Sequence, residues 1–154
     1  MWGGKSYAMR ATAAAVGSLR SVNLAPRSAT GDPMPRPILD ESRLHPAIRD
    51  KVAGLNADLL REVHAALAAH AVVVLGMAQN PVVRRARAAL AAAAVPHHYI
   101  GYGSYFSEWR RRNALKMWTG WPTFPMVFVH GTLVGGADDL AALIASGELK
   151  KLLA

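Results

Sequence analysis

The sequence predicts an α/β domain in which a four-stranded mixed sheet is flanked by helices, with an additional N-terminal helix. Three observations support this fold class. A short β-branched run at 71–75 is typical of a strand that is buried on both faces. The pair Asn80-Pro81 follows it and is typical of a helix start. Two apolar runs near the C-terminus meet at His130-Gly131, which predicts a hairpin.

The first element of the domain is a predicted amphipathic helix over 46–69. Pro46 suits the first helical position, where its missing N–H has no intrahelical partner to lose. Apolar residues then recur at steps of three or four, so one face of this helix is expected to be buried. These residues are Ile48, Val52, Leu55, Leu59, Val63 and Leu67.

The remaining elements alternate between strands and helices. After the strand at 71–75, the pattern predicts a helix over 82–95, a strand over 97–100, a helix over 104–118, strands over 125–129 and 132–134, and a last helix that opens at Asp138-Asp139 and is interrupted at Gly147. In the helix over 104–118, we expect Tyr105, Phe106 and Trp109 to pack against the core. The predicted order is a helix followed by β-α-β-α-β-β-α.

Residues 1–45 differ in composition from the domain at 46–154. They are basic and rich in Pro, Ser and Ala, and their first acidic residue is Asp32. One interpretation is a disordered leader on a cytoplasmic protein of bacterial type. The other is an organelle transit peptide within residues 1–36, which would direct the protein to mitochondria.

The absence of cysteine excludes several kinds of chemistry from these 154 residues. They can form no disulfide, no thiolate metal site and no cysteine nucleophile. No apolar run reaches 18 residues, so we expect no membrane span. His97 and His98 would lie on opposite faces of a strand, and we expect no metal site.

The net charge of +8 favours anionic partners in general. The arginines of the two central helices are Arg84, Arg85, Arg87 and Arg110 to Arg112. No nucleic-acid motif accompanies them, so we interpret them as solvated helix faces and do not expect nucleic acid as a partner.

The stretch from Lys116 to Leu140 closely resembles the second half of a glutaredoxin. Its elements are Thr123-Phe124-Pro125, a hairpin, and Gly135-Gly136-Ala137-Asp138, and Gly147-Glu148-Leu149 follows at the family's spacing. Trp121-Pro122-Thr123 is most similar to the monothiol branch. The resemblance covers residues 70–153 and implies a thioredoxin-like fold, whose βαβ and ββα units match the predicted order.

The resemblance implies a groove for glutathione. Pro125 is then expected to be cis, and Phe124 to offer its backbone N–H and C=O to an extended tripeptide. Thr123 and Phe124 would hold the cysteinyl part, while Gly136, Ala137 and Asp138 would hold the γ-glutamyl end at a helix start. Arg112 and Lys116 fall where the family binds the glycine carboxylate. The alternative is an empty scaffold in which Asp138 only caps a helix.

The sequence departs from the family at the catalytic position. Asn80 occupies the place of the nucleophilic cysteine, and Val83 that of the resolving residue. Gly76 and Met77 lie where the family has a lysine. Ala137 occupies a position at which monothiol members often have a cysteine. Without a protein thiolate, we expect no iron–sulfur cluster and assign no catalytic residue.

These observations favour a cysteine-free, glutaredoxin-like module that binds glutathione or a peptide without redox turnover. Two alternatives stay open. The domain could be a protein-interaction scaffold without a ligand, or a weak glutathione-dependent enzyme that uses Tyr99, Tyr102 or Tyr105. Classification as an oxidoreductase of cell redox homeostasis would rest on family membership alone.

Overall fold

The computed structural model describes residues 35–154, of which residues 35–40 have no regular secondary structure. Most of the predicted leader therefore lies outside the described residues. A single 3-10 turn at Glu41–Arg43 precedes the regular elements. These are α1 (Pro46–Gly54), α2 (Ala57–Ala69), β1 (Val72–Gly76), α3 (Pro81–Ala92), β2 (His98–Gly101), α4 (Trp109–Thr119), β3 (Met126–Val129), β4 (Thr132–Gly135), α5 (Ala137–Ala145) and α6 (Glu148–Leu153).

The four strands form one mixed sheet in the order β2-β1-β3-β4. β1 pairs in parallel with β2, and antiparallel with β3, where Val74 lies opposite Val127. β3 and β4 form the predicted hairpin. The sheet has thioredoxin-like topology, which confirms the predicted fold class and the central position of β1.

Helices cover both faces of the sheet. The side chains of β1 alternate between the two faces and are apolar, so each face has apolar residues to bury. Val73 and Leu75 belong to a core with residues of α2 and α4, whereas Val72 and Val74 belong to a core with residues of α3, α5 and α6. All four side chains are at most 1% exposed. Burial of each such aliphatic side chain contributes about 1.5–3 kcal/mol, so β1 anchors both cores.

The prediction of one helix over 46–69 was wrong, because the chain breaks between α1 and α2. Leu55 is extended and Asn56 is left-handed, with φ 58°. Asparagine tolerates this conformation better than most residues, and the preceding Gly54 is a poor helix former. α2 buries Leu59 and Val63, whereas α1 buries none of its residues.

The prediction of a helix over 104–118 was also wrong at its N-terminal end, since α4 begins at Trp109. The N–H of Ser104 donates to Oγ of Ser107 at 2.9 Å, so side chains satisfy this backbone in a turn. The aromatic residues do not pack as expected. Tyr105, Phe106 and Trp109 are 60%, 98% and 58% exposed.

The C-terminal part agrees with the sequence prediction. The peptide bond between Phe124 and Pro125 is cis, and β3 begins at the next residue. Gly147 has φ 75° and separates α5 from α6. Among residues 35–154, no helix has the length and apolarity needed to cross a bilayer.

Candidate functional site

A cavity of about 530 Å³ opens where the start of α3, the body of α4 and the segment before β3 come together. It is lined by Met77, Asn80, Val82, Tyr105, Arg112, Lys116, Pro122, Thr123 and Phe124. Four predicted ligand-binding residues and Asn80, at the family's cysteine position, therefore share one pocket. They are Asn80, Arg112, Lys116, Thr123 and Phe124.

Asn80 caps α3 at the pocket. Its side-chain oxygen accepts hydrogen bonds from the backbone N–H groups of Val82 at 2.8 Å and Val83 at 3.3 Å. Pro81 occupies the first helical position and has no N–H to satisfy. The capping role that the sequence predicted is confirmed. Two of the donors that would stabilise an anion at this helix start are thus already engaged.

The segment between β1 and Asn80 provides no charge to the pocket. Met77 is buried, at 8% exposure, and lines the cavity. Gly76 is closely enclosed, because a Cβ placed there would lie 2.7 Å from both Cε2 of Tyr99 and Cγ1 of Val83. No side chain fits at position 76 without movement of these neighbours.

Lys116 supplies positive charge on the α4 side of the pocket. The residue is half-buried, and its ammonium nitrogen lies 5.8 Å from the ring centroid of Phe124. The pocket lining contains Arg112 as a second cation and no acidic residue. The pocket is therefore electrostatically suited to an anionic ligand.

Arg112 is buried, at 8% exposure, and much of its hydrogen-bonding capacity serves the fold. Its Nη1 donates to the carbonyl oxygen of Tyr102 at 2.9 Å and also to that of Ser107. Arg112 thereby fastens the turn before α4, and it still lines the cavity. The sequence did not indicate this structural role, since Arg110 to Arg112 form a uniform basic run.

Thr123 and Phe124, in the segment before β3, also line the cavity. The last ladder pair between β1 and β3 is Leu75 with Met126, so the backbone of Phe124 lies just beyond the sheet. Within residues 35–154, no hydrogen bond joins the N–H or C=O of Phe124 to another backbone group. Phe124 is 8% exposed and lines the cavity.

The predicted γ-glutamyl residues do not line this cavity. Gly136 lies close to the cis-proline segment, because a Cβ placed there would be 3.7 Å from the carbonyl oxygen of Pro125. The N–H of Gly136 donates to the carboxylate of Asp139 at 2.9 Å. Ala137 is buried at the start of α5.

Asp138 is engaged outside the cavity. Its carboxylate pairs with Arg85 of α3 at 2.5 Å, and the two side chains are 90% and 61% exposed. Exposed pairs of this kind contribute at most about 1 kcal/mol. Asp138 therefore links α3 to α5 through a contact that a ligand could displace.

The three tyrosines proposed as alternative catalysts have different environments. Tyr105 lines the cavity, whereas Tyr99 lies beneath the guanidinium of Arg87, 4.2 Å from its ring centroid. Tyr102 is buried in the core. Burial raises the pKa of the Tyr102 hydroxyl to about 12, and the negative charge of Glu62 adds to the rise. A raised pKa is opposite to what a tyrosine that activates a thiol requires.

Four lining residues were not predicted to bind the ligand: Met77, Val82, Tyr105 and Pro122. Pro122 lies inside the Trp-Pro-Thr motif, which was the one available signal for it.

His70 and His98 stack at 4.2 Å between ring centroids. In the described part of the chain, no group of three or more His, Cys, Asp or Glu residues is arranged to hold a metal ion.

Comparison with known proteins gives three informative similarities. No family model matches the chain. A glutaredoxin-like protein of Dictyostelium discoideum is 42% identical over 102 residues, which are 66% of this chain and 83% of that protein. A probable monothiol glutaredoxin 2 of Rickettsia conorii is 50% identical over 42 residues, which span 27% of this chain and 39% of the relative. The crystal structure of oxidized glutaredoxin 2 from Chlamydomonas reinhardtii superposes with a TM-score of 0.56 at 30% identity, covering 64% of this chain and 92% of that one.

Proposed function

This chain belongs to the glutaredoxin family, and we propose that it is a non-redox member that binds glutathione, or a peptide of similar shape, in the cavity beside Asn80. The observation that carries the proposal is the convergence of Lys116, Thr123 and Phe124 on one cavity of about 530 Å³. The absence of cysteine from the 154 residues removes the thiol that a redox cycle would need.

The charge of the cavity supports an anionic tripeptide as the ligand. Glutathione has two carboxylates and one ammonium group, and the cavity lining has two cations and no acid. Lys116 is the better candidate for a carboxylate, because one nitrogen of Arg112 is committed to two backbone carbonyls. A charge-assisted hydrogen bond in a half-buried site is stronger than a neutral one.

The backbone at Phe124 supports an extended ligand conformation. Its N–H and C=O lie next to the end of β3 and make no backbone hydrogen bond within the described residues. A bound peptide can pair with them as one further short strand. The side chains of the peptide then point alternately toward and away from the cavity.

Asn80 offers a bound thiol no group with which it can react. Its side-chain oxygen is directed at the N–H groups of Val82 and Val83 and has no proton to exchange. A glutathione sulfur near this position meets an amide and apolar groups, and finds no partner sulfur. The ligand is thus held without reaction.

The γ-glutamyl end of the ligand would reach the start of α5. There Asp138 is paired with Arg85, and the N–H of Gly136 is bound by Asp139. Binding at this end therefore competes with existing contacts. We expect the affinity to depend less on Asp138 than on Lys116.

Titration followed by backbone NMR shifts tests the proposal, with reduced glutathione and S-methylglutathione as separate ligands. We expect both to shift resonances at Lys116, Thr123 and Phe124, since binding does not use the thiol. Lys116→Gln should weaken binding roughly tenfold. Lys150→Gln, which changes an exposed lysine of α6, is the matched control and should leave binding unchanged.

Two results would contradict the proposal. One is the absence of shifts at these three residues at millimolar ligand. The other is equal weakening of binding by Lys116→Gln and Lys150→Gln, which would mean that only the net charge attracts the ligand.

A further inference from the structure

The turn before α4 exposes three aromatic side chains within five residues. We define the aromatic loop as residues 104–109; its Tyr105, Phe106 and Trp109 are 60%, 98% and 58% exposed. Single exposed apolar residues are ordinary on protein surfaces. A cluster of large aromatic residues on one turn is characteristic of an interaction surface.

Hydrogen bonds hold the aromatic loop in the conformation that exposes its aromatic side chains. The N–H of Ser104 donates to Oγ of Ser107 at 2.9 Å, and the N–H of Phe106 donates to Oγ of Ser104 at 3.4 Å. From inside the fold, Arg112 donates to the carbonyl oxygens of Tyr102 and Ser107. The turn is therefore fixed at both ends, and Phe106 has almost no contact with the rest of the domain.

The charge next to the aromatic loop is positive. Arg110 follows Trp109 and is exposed. Lys116 lines the same cavity as Tyr105, and that lining contains no acidic residue. The two acidic residues nearby, Glu62 and Glu108, are both paired with Arg111, at 2.9 and 3.5 Å. The surface that presents the aromatic loop is thus complementary to a negatively charged partner.

We propose that the aromatic loop is a docking element for an anionic phospholipid bilayer. A nearly fully exposed Phe at the tip of a turn can enter the acyl boundary, and Trp and Tyr favour the headgroup level. Nearby Arg and Lys side chains are attracted to an anionic membrane surface. A fluid bilayer needs no complementary groove, which suits a protruding loop.

Other occupants fit the same observations less well. A second copy of this chain would bring two basic surfaces together, which opposes association. A single-stranded nucleic acid would stack its bases on exposed aromatic faces. Here the guanidinium of Arg110 lies over the Trp109 ring, 5.5 Å from its centroid, and covers one such face.

Vesicle co-sedimentation of the full chain tests the proposal, with phosphatidylcholine vesicles compared with mixed phosphatidylcholine–phosphatidylglycerol vesicles. We expect binding to the mixed vesicles that falls as salt rises, because the attraction is screened. Phe106→Ser should lower the partition coefficient about tenfold. Leu152→Ser, an exposed apolar residue of α6, is the matched control and should have no effect.

Three outcomes would overturn the proposal: no binding to the mixed vesicles, equal binding to neutral and mixed vesicles, or equal effects of Phe106→Ser and Leu152→Ser. If no vesicle binds and Phe106→Ser abolishes dimerisation or single-stranded DNA binding, the loop has that other partner. Because Phe106 packs against almost nothing, its replacement leaves the fold intact, which circular dichroism verifies. The proposal does not rest on glutathione binding, and the two titrations fail independently.

Discussion

Arg112 Nη1 donates a hydrogen bond of 2.9 Å to the carbonyl oxygen of Tyr102, so a buried cation of α4 holds the end of the segment that follows β2. The same nitrogen reaches the carbonyl of Ser107. The chain between these two carbonyls includes the start of the aromatic loop. The side chain of Arg112 therefore lines the cavity and also holds the aromatic loop in place.

Replacement of Arg112 should destabilise the fold. Arg112→Ala leaves two carbonyl oxygens without their charged donor, and we expect a loss of about 2 kcal/mol in the free energy of unfolding. Urea denaturation measures this loss. Arg110→Ala, at an exposed position of the same run, should change stability by less than about 0.5 kcal/mol. Equal effects of the two variants would refute the fastening role of Arg112.

A cysteine in place of Asn80 should acquire a lowered thiol pKa. The N–H groups of Val82 and Val83, now bonded to Asn80, would face a thiolate at the start of α3. We expect a pKa below the ordinary value of about 8.5. Thiolate absorbance against pH measures it. Ala142→Cys places an exposed thiol within α5, away from a helix start, and is the control; if both thiols titrate alike, the helix start has no such influence.

Tyr102 should make the fold sensitive to alkaline pH. The pKa of its hydroxyl is raised from 10.0 to about 12, chiefly by burial, so above pH 10 the unfolded chain releases this proton while the folded chain retains it. The contribution of Tyr102 to stability is therefore complete below pH 10 and is lost as the pH rises through about 12.

The difference between the wild type and Tyr102→Phe isolates this contribution, because all other groups titrate in both proteins. We expect the stability of the wild type to fall more steeply between pH 10 and 12 in urea unfolding. Parallel curves for the two proteins would contradict the raised pKa.

The break between α1 and α2 should depend on the left-handed conformation of Asn56. Its φ of 58° suits glycine and strains a β-branched residue. We expect Asn56→Val to lose about 1–2 kcal/mol, whereas Asn56→Gly should change stability by less than about 0.5 kcal/mol. Thermal or urea unfolding measures both. A Val variant as stable as wild type would indicate that the helix can run through this position.

Local signals explain which elements the sequence predicted well. The Asn80-Pro81 start of α3 and the Gly147 break each depend on a few neighbouring residues, and the structure has both. The apolar period of 46–69 runs unbroken through Leu55, so it concealed the break between α1 and α2. The pattern at 104–118 concealed the start of α4 similarly, because exposed and buried aromatic residues look alike in a sequence.

In the candidate site, too, the sequence predicted what local motifs indicate and did not predict tertiary contacts. Motif resemblance identified Lys116, Thr123 and Phe124, which line one cavity. It did not reveal that Asp138 pairs with Arg85, because the partners are 53 residues apart in the chain. Nor did it distinguish buried Arg112 from its exposed neighbour Arg110, since both belong to one run of identical residues. Such distinctions depend on tertiary contacts.

The chain departs from the family at Asn80 and at Gly76. Because Gly76 is closely enclosed, the second departure is harder to reverse by substitution than the first. A thiol can return at position 80 by one substitution, because that side chain already lies at the helix start. A lysine cannot return at position 76 in the same way, since Tyr99 and Val83 would lie 2.7 Å from its Cβ. Both neighbours would first have to become smaller or move. A substitution at position 80 therefore leaves the core as it is, whereas any side chain at position 76 requires the core around Tyr99 and Val83 to change.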